Sequence, residues 1–61
     1  MTFKRKSLWH LESESGIYSI TKSMVGEIVV YTAFRFDKPL CHELVVEDCI
    51  RACETDAAEA A

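Results

Sequence analysis

The sequence predicts an α+β fold on three observations. The segment Ile28-Val29-Val30-Tyr31-Thr32-Ala33-Phe34 reads as a β-strand that is apolar on both faces. Ile28, Val30 and Phe34 point one way, with Thr32 among them, and Val29, Tyr31 and Ala33 point the other. From Val45 onward the apolar period changes from that of a strand to that of a helix. A strand apolar on both faces needs cover on both sides, and only one convincing helix is there to supply it. The expected architecture is a three-stranded antiparallel sheet, four-stranded if the segment Leu8 to Glu12 joins it, with one C-terminal α-helix packed on one face. The other face is left looking for a partner.

The elements follow in order. Met1 to Ser7 is polar and basic, with Lys4-Arg5-Lys6 as a short positive run, and reads as a mobile basic tip. Leu8 to Glu12 fits a short strand or an extended arm that lays Trp9 on the sheet. Ser13-Glu14-Ser15-Gly16 ends it as a turn. Ile17 to Thr21 reads as a strand, Ser23 to Gly26 as a hairpin loop with Gly26 free to take positive φ, and Glu27 to Phe36 as the central strand. Asp37-Lys38-Pro39 makes the next turn, because proline cannot donate to a ladder and aspartate bonds its own backbone. Leu40 to Leu44 is a short third strand. In the tail, Val46, Cys49, Ile50, Cys53, Ala57 and Ala60 form one stripe at helical spacing. Glu47 and Arg51 make an i,i+4 pair outside that stripe, and Glu47 with Asp48 complements the positive helix start.

Length bounds the rest. A domain of 61 residues buries only about 60% of the surface its unfolded chain exposes, so its core supports marginal stability without help. Three cysteines are an odd number, and no secretory signal or membrane-spanning run is visible, so the chain reads as soluble and cytoplasmic with reduced thiols. The net charge of -3 argues against coating nucleic acid by bulk electrostatics.

Each candidate site has a plainer reading beside it. Cys41, His42, Cys49 and Cys53 include a Cys-x3-Cys spacing that a mixed thiolate and imidazole zinc site could use. Cys49 and Cys53 lie on the same stripe as Val46 and Ile50, however, and buried cysteine behaves as a small hydrophobe, so no metal and no cofactor is expected. Trp9 with Lys4, Arg5, Lys6 and Arg35 could grip nucleic acid, the indole stacking on a base. The preferred reading makes Trp9 a cap on the sheet and the cations a solvated run. The acidic set Glu43, Glu47, Asp48, Glu54, Asp56 and Glu59 could mimic DNA phosphates in the groove of a host protein, and reads by preference as the wet face of the helix. Phe34 and Phe36 are candidate anchors of an interface, with burial of both under the C-terminal helix as the plainer reading. No nucleophile, base and orienting group converge in the pattern, and the chain is not expected to be an enzyme.

An aromatic arm, a hairpin carrying Gly16-Ile17-Tyr18-Ser19-Ile20, a second strand with Tyr31-Thr32-Ala33-Phe34 and a closing helix with Ala52-Cys53-Glu54 together resemble a class of very short proteins encoded by phages, prophages and plasmids, over residues 8 to 58 or so. That resemblance implies a protein that binds and blocks a host-encoded protein. Three antiparallel strands and a helix are also similar to the amino-terminal arm-binding domains of tyrosine recombinases, which put a sheet face into the DNA major groove. Those domains are rich in Lys and Arg on their strands, and here Lys22, Arg35 and Lys38 are what the strands offer. The sequence therefore favours a non-enzymatic accessory protein that binds a host or self protein through an apolar sheet face or edge, with Trp9, Val29, Tyr31, Phe34 and Phe36 as interface residues. A homodimer is expected from the same apolar strand, and a small DNA-binding factor is the alternative.

Overall fold

The computed structural model describes residues 1–60. Five strands run in sequence order across one antiparallel sheet: β1 (Phe3–Ser7), β2 (His10–Ser13), β3 (Tyr18–Val25), β4 (Ile28–Arg35) and β5 (Lys38–Glu43). The helix α1 (Val46–Ala60) closes the chain. Leu11 pairs with Ile20, Ile20 with Ala33 and Ala33 with Cys41, so these four side chains stand on one face. α1 lies on that face over β3, β4 and β5. Tyr18, Ile20, Ala33, Cys49 and Cys53 are buried there, with Phe3, Tyr31, Val46 and Ile50 packed around them. Ala33, Cys49 and Cys53 have no exposed surface at all. Their small size lets the helix approach the sheet closely, where larger side chains at those positions would hold it off.

The sheet is wider than three or four strands. The expected basic tip is instead the edge strand β1, with Arg5 paired to Leu11 and Phe3 to Ser13. An edge strand needs only one core side chain, here Phe3, and long Lys and Arg side chains serve on both its faces. The expected loop Ser23 to Gly26 shrinks to the two-residue turn Gly26-Glu27, because β3 and β4 stay paired out to Val25 and Ile28. Lys38 and Pro39 leave their expected turn and join β5, an edge strand where proline is tolerated. The register slips between Ala33 and Phe34, and Leu40 as well as Cys41 packs against the core. In the helix, Ala60 is exposed, outside the stripe it was expected to extend. Arg51 pairs with Asp48 at 3.4 Å rather than with Glu47.

Two polar clusters fasten the far end of the sheet from the Gly26 turn. The Ser13 hydroxyl accepts a hydrogen bond from the Tyr18 amide at 3.1 Å, closing the β2–β3 connection. The Tyr18 hydroxyl donates to Asp56 Oδ2 on α1 at 2.7 Å, and Arg35 Nη1 lies 3.6 Å from the same oxygen. β3, β4 and α1 are thus clipped together at one point. That carboxylate, followed by burial, holds the Tyr18 phenol above its ordinary titration range.

Candidate interaction site

The other end of β3 and β4 is built differently. β2 pairs with β3 only over Ser19–Thr21, with one further bond from the Lys22 amide to the Trp9 carbonyl at 2.8 Å. β5 pairs with β4 only from Tyr31 onward. Ser23–Val25 and Ile28–Val30 therefore project as a two-stranded ribbon whose outer edges have no strand partner among the described residues. Such a ribbon has little stability of its own in water. Yet Met24, Val25 and Ile28 on it are 55%, 66% and 56% exposed. Leu44 and Val45, which follow directly on the Glu43 that pairs with Tyr31, are exposed at the same end. The molecule is elongated, 37 × 20 × 19 Å, and one end of it carries a concentration of apolar surface.

The five interface residues expected from the sequence do not form one surface. Val29 and Tyr31 stand on the helix side, since Tyr31 packs against the core and its carbonyl accepts from the Cys49 thiol at 3.4 Å. Phe34 has the opposite parity and faces away from α1, half-buried beside Pro39. Phe36 sits in the β4–β5 turn at the end opposite the ribbon, 68% exposed and with φ of 53°. Trp9 lies in the β1–β2 turn, where the Lys22 ammonium is 5.3 Å from its ring centroid, a cation–π distance. Only Trp9 and Tyr31 come together, as two walls of a groove on the helix side. Met24, Val25, Ile28, Leu44 and Val45 escaped the sequence reading. Their signal is Val25-Gly26-Glu27-Ile28, a glycine-led two-residue turn between β-formers, which recasts the expected loop as strand.

The four cations of the nucleic-acid alternative are scattered. Lys6 pairs with Glu12 at 3.8 Å, Arg35 is engaged by Asp56 at the clipped end, and Arg5 stands beside Trp9 in the helix-side groove. Lys4, opposite Glu12 in the register, faces the other way.

The cysteines and His42 likewise separate. Cys41 is on the helix side, whereas His42 is on the open face, its Nδ1 3.0 Å from Thr32 Oγ1. Burial pushes the Cys49 thiol up to about 12 and the Cys53 thiol to about 11, with the neighbouring Cys41 adding to both shifts. Both thiols are packed as small hydrophobes in the core. Among the described residues no group of three or more His, Cys, Asp or Glu side chains is arranged to hold a metal ion, and no helix is long and apolar enough to cross a membrane. Comparison with protein-family models, curated proteins and solved structures finds no match to this chain, so its functional reading rests on the exposed ribbon and the groove at its base.

Proposed function

We propose that the chain is a non-enzymatic interaction module that grips a protein partner with the β3–β4 ribbon. One observation carries this reading: the ribbon outruns both neighbouring strands and holds Met24, Val25 and Ile28 in water. Apolar side chains on a strand pair with free edges suit two modes of binding at once. A partner strand adds to an edge through backbone hydrogen bonds, and the side chains fill pockets beside it. The likeness to short phage- and plasmid-encoded proteins makes a host-encoded cytoplasmic protein the expected partner, met where Cys41, Cys49 and Cys53 stay reduced. A second copy of the chain is the second reading, favoured by those same free edges.

The test is a photo-crosslinking residue placed at Val25 in cells that produce the protein, with the same residue at exposed Glu14 as control. A discrete protein adduct from position 25, absent from position 14, is expected. Val25→Ser combined with Ile28→Ser should abolish capture of that protein while leaving the circular-dichroism spectrum unchanged. Undiminished capture by this double variant would refute the reading, and an adduct at twice 6.9 kDa would select the second copy.

A further inference from the structure

We infer that the uncovered half of the helix-side face is a docking groove for an acidic amphipathic helix of a protein partner. Five strands about 4.8 Å apart make a face roughly 19 Å across, and one helix with its side chains covers about 10 Å of it. α1 lies over β3, β4 and β5, and on the β1 side it is met at one end, where the Met1 amino group is 3.0 Å from Glu54 Oε2 and Phe3 packs on the core. Beyond that bridge, towards Trp9 and Val46, the strip is open and about one helix wide. Its surface is a groove of about 270 Å³ with Leu11, Tyr31 and Val46 on the inside and Trp9 at the far wall.

The chain's own helix is unsuited to this place in a second copy. The apolar stripe of α1 is spent on its own sheet, and the face it leaves outward is polar, with Glu47, Arg51 and Thr55 exposed. An occupant must bring a free apolar face for Leu11, Tyr31 and Val46. Its charge follows from the rim. Arg5 and Lys22 both line the groove, and among the described residues neither makes an ion pair. On the other flank of α1 the groove against β5 is lined by Glu43, Asp48, Asp56 and Glu59 with Arg51 as the one cation. An acidic helix is attracted to the first groove and repelled by the second, so charge selects the side. A nucleic acid would satisfy the cations and stack on Trp9, but the aliphatic floor of Leu11 and Val46 is matched by a leucine face and not by a base. This groove is distinct from the ribbon, and the two surfaces can fail separately.

Trp9 is the only tryptophan and reports on the groove directly. The probe is a two-heptad peptide with leucine on one face and glutamate elsewhere, compared with the same peptide carrying lysine for glutamate. The acidic peptide should shift Trp9 emission with a dissociation constant below about 100 μM, at least about tenfold tighter than the basic one. Arg5→Glu together with Lys22→Glu should invert that preference, a rescue that misfolding cannot imitate. Val25→Ser with Ile28→Ser should leave it intact. The proposal is overturned if neither peptide binds below about 1 mM, if both bind alike, if the ribbon variant abolishes binding, or if a single-stranded oligonucleotide perturbs Trp9 more tightly than the acidic peptide does.

Discussion

Two turns bound β4, and they meet one backbone requirement with different residues. Gly26 opens the turn between Val25 and Ile28 with φ of 63°, and Phe36 opens the turn between Arg35 and Lys38 with φ of 53°. Positive φ at the first turn position matches the twist of the flanking strands. Glycine adopts it freely. A side chain with a Cβ meets the following carbonyl there, at roughly 1 to 2 kcal/mol. The Phe36 ring is largely in water, so burial does not offset that cost, and the bond its amide donates to the Ile17 carbonyl at 2.8 Å needs no particular side chain. The stability of the turn therefore does not account for the aromatic. The two ends of β4 also differ in support. The Phe36 end is clipped by Tyr18, Arg35 and Asp56, whereas the Gly26 end projects without lateral partners.

The largest expected effect concerns the stretch between the turns, where Cys49 and Cys53 pin β4 beneath the helix. Both thiols titrate higher in the folded chain, at about 12 and about 11, than the ordinary value of 9.0. The native state therefore holds protons that the unfolded chain releases above pH 9. Their contribution is fully present below that pH and is lost as pH rises through 11 and 12. Urea melts should fall steeply from pH 9 upward, and both turns should be lost in one transition. Cys49→Ala with Cys53→Ala should flatten that slope, leaving the smaller contribution of the raised Tyr18 phenol. An unchanged slope would mean that the thiols are not buried as described.

At the free end, a side chain at Gly26 would have open space around it, with nothing within 4 Å of the added Cβ. Gly26→Val thus tests the backbone alone and should cost about 2 kcal/mol in urea unfolding. At the clipped end, Tyr18→Phe removes the hydrogen bond to Asp56 and should cost about 1.5 kcal/mol, as expected for a bond to a charged partner. Hydrogen exchange separates the ends further: amides of Ser23–Val25 should exchange far faster than those of Tyr18–Thr21.

The helix and the central strand were legible in the sequence because each carries a dense periodic signal. Val46, Cys49, Ile50 and Cys53 keep helical spacing, and Ile28 to Phe34 is continuously β-forming. β1 was hidden because Lys4-Arg5-Lys6 shows no alternation, and an edge strand is held by pairing that local pattern does not record. The ribbon was hidden because Ser23 and Gly26 look like loop chemistry, while its real length is set by cross-strand pairs out to Val25 and Ile28. Met24 and Val25 are hidden with it, since loop chemistry on either side masks their place on paired strands. Val29 and Tyr31 were legible as apolar, but which face the helix covers is decided by tertiary packing.

The smallest effect is a gain. Phe36→Gly keeps the two-residue turn and removes the clash between Cβ and carbonyl, so the variant should be more stable by about 0.5 to 1 kcal/mol. The gain is held below the full strain because glycine also loosens the unfolded chain. Phe36→Asn should gain less, since asparagine tolerates the left-handed region without being free in it. Gly26→Phe makes the reciprocal exchange and should lose about what Phe36→Gly gains, because the strain and the unfolded-state contribution both reverse sign. If Phe36→Gly is instead less stable than the wild type, the ring packs on Phe34 or Pro39 and the turn is not strained for free. If it is more stable and still captures the protein crosslinked from Val25, the aromatic has no part in that contact. A more stable variant with weakened capture would extend the binding surface along β4 from the ribbon to the far turn.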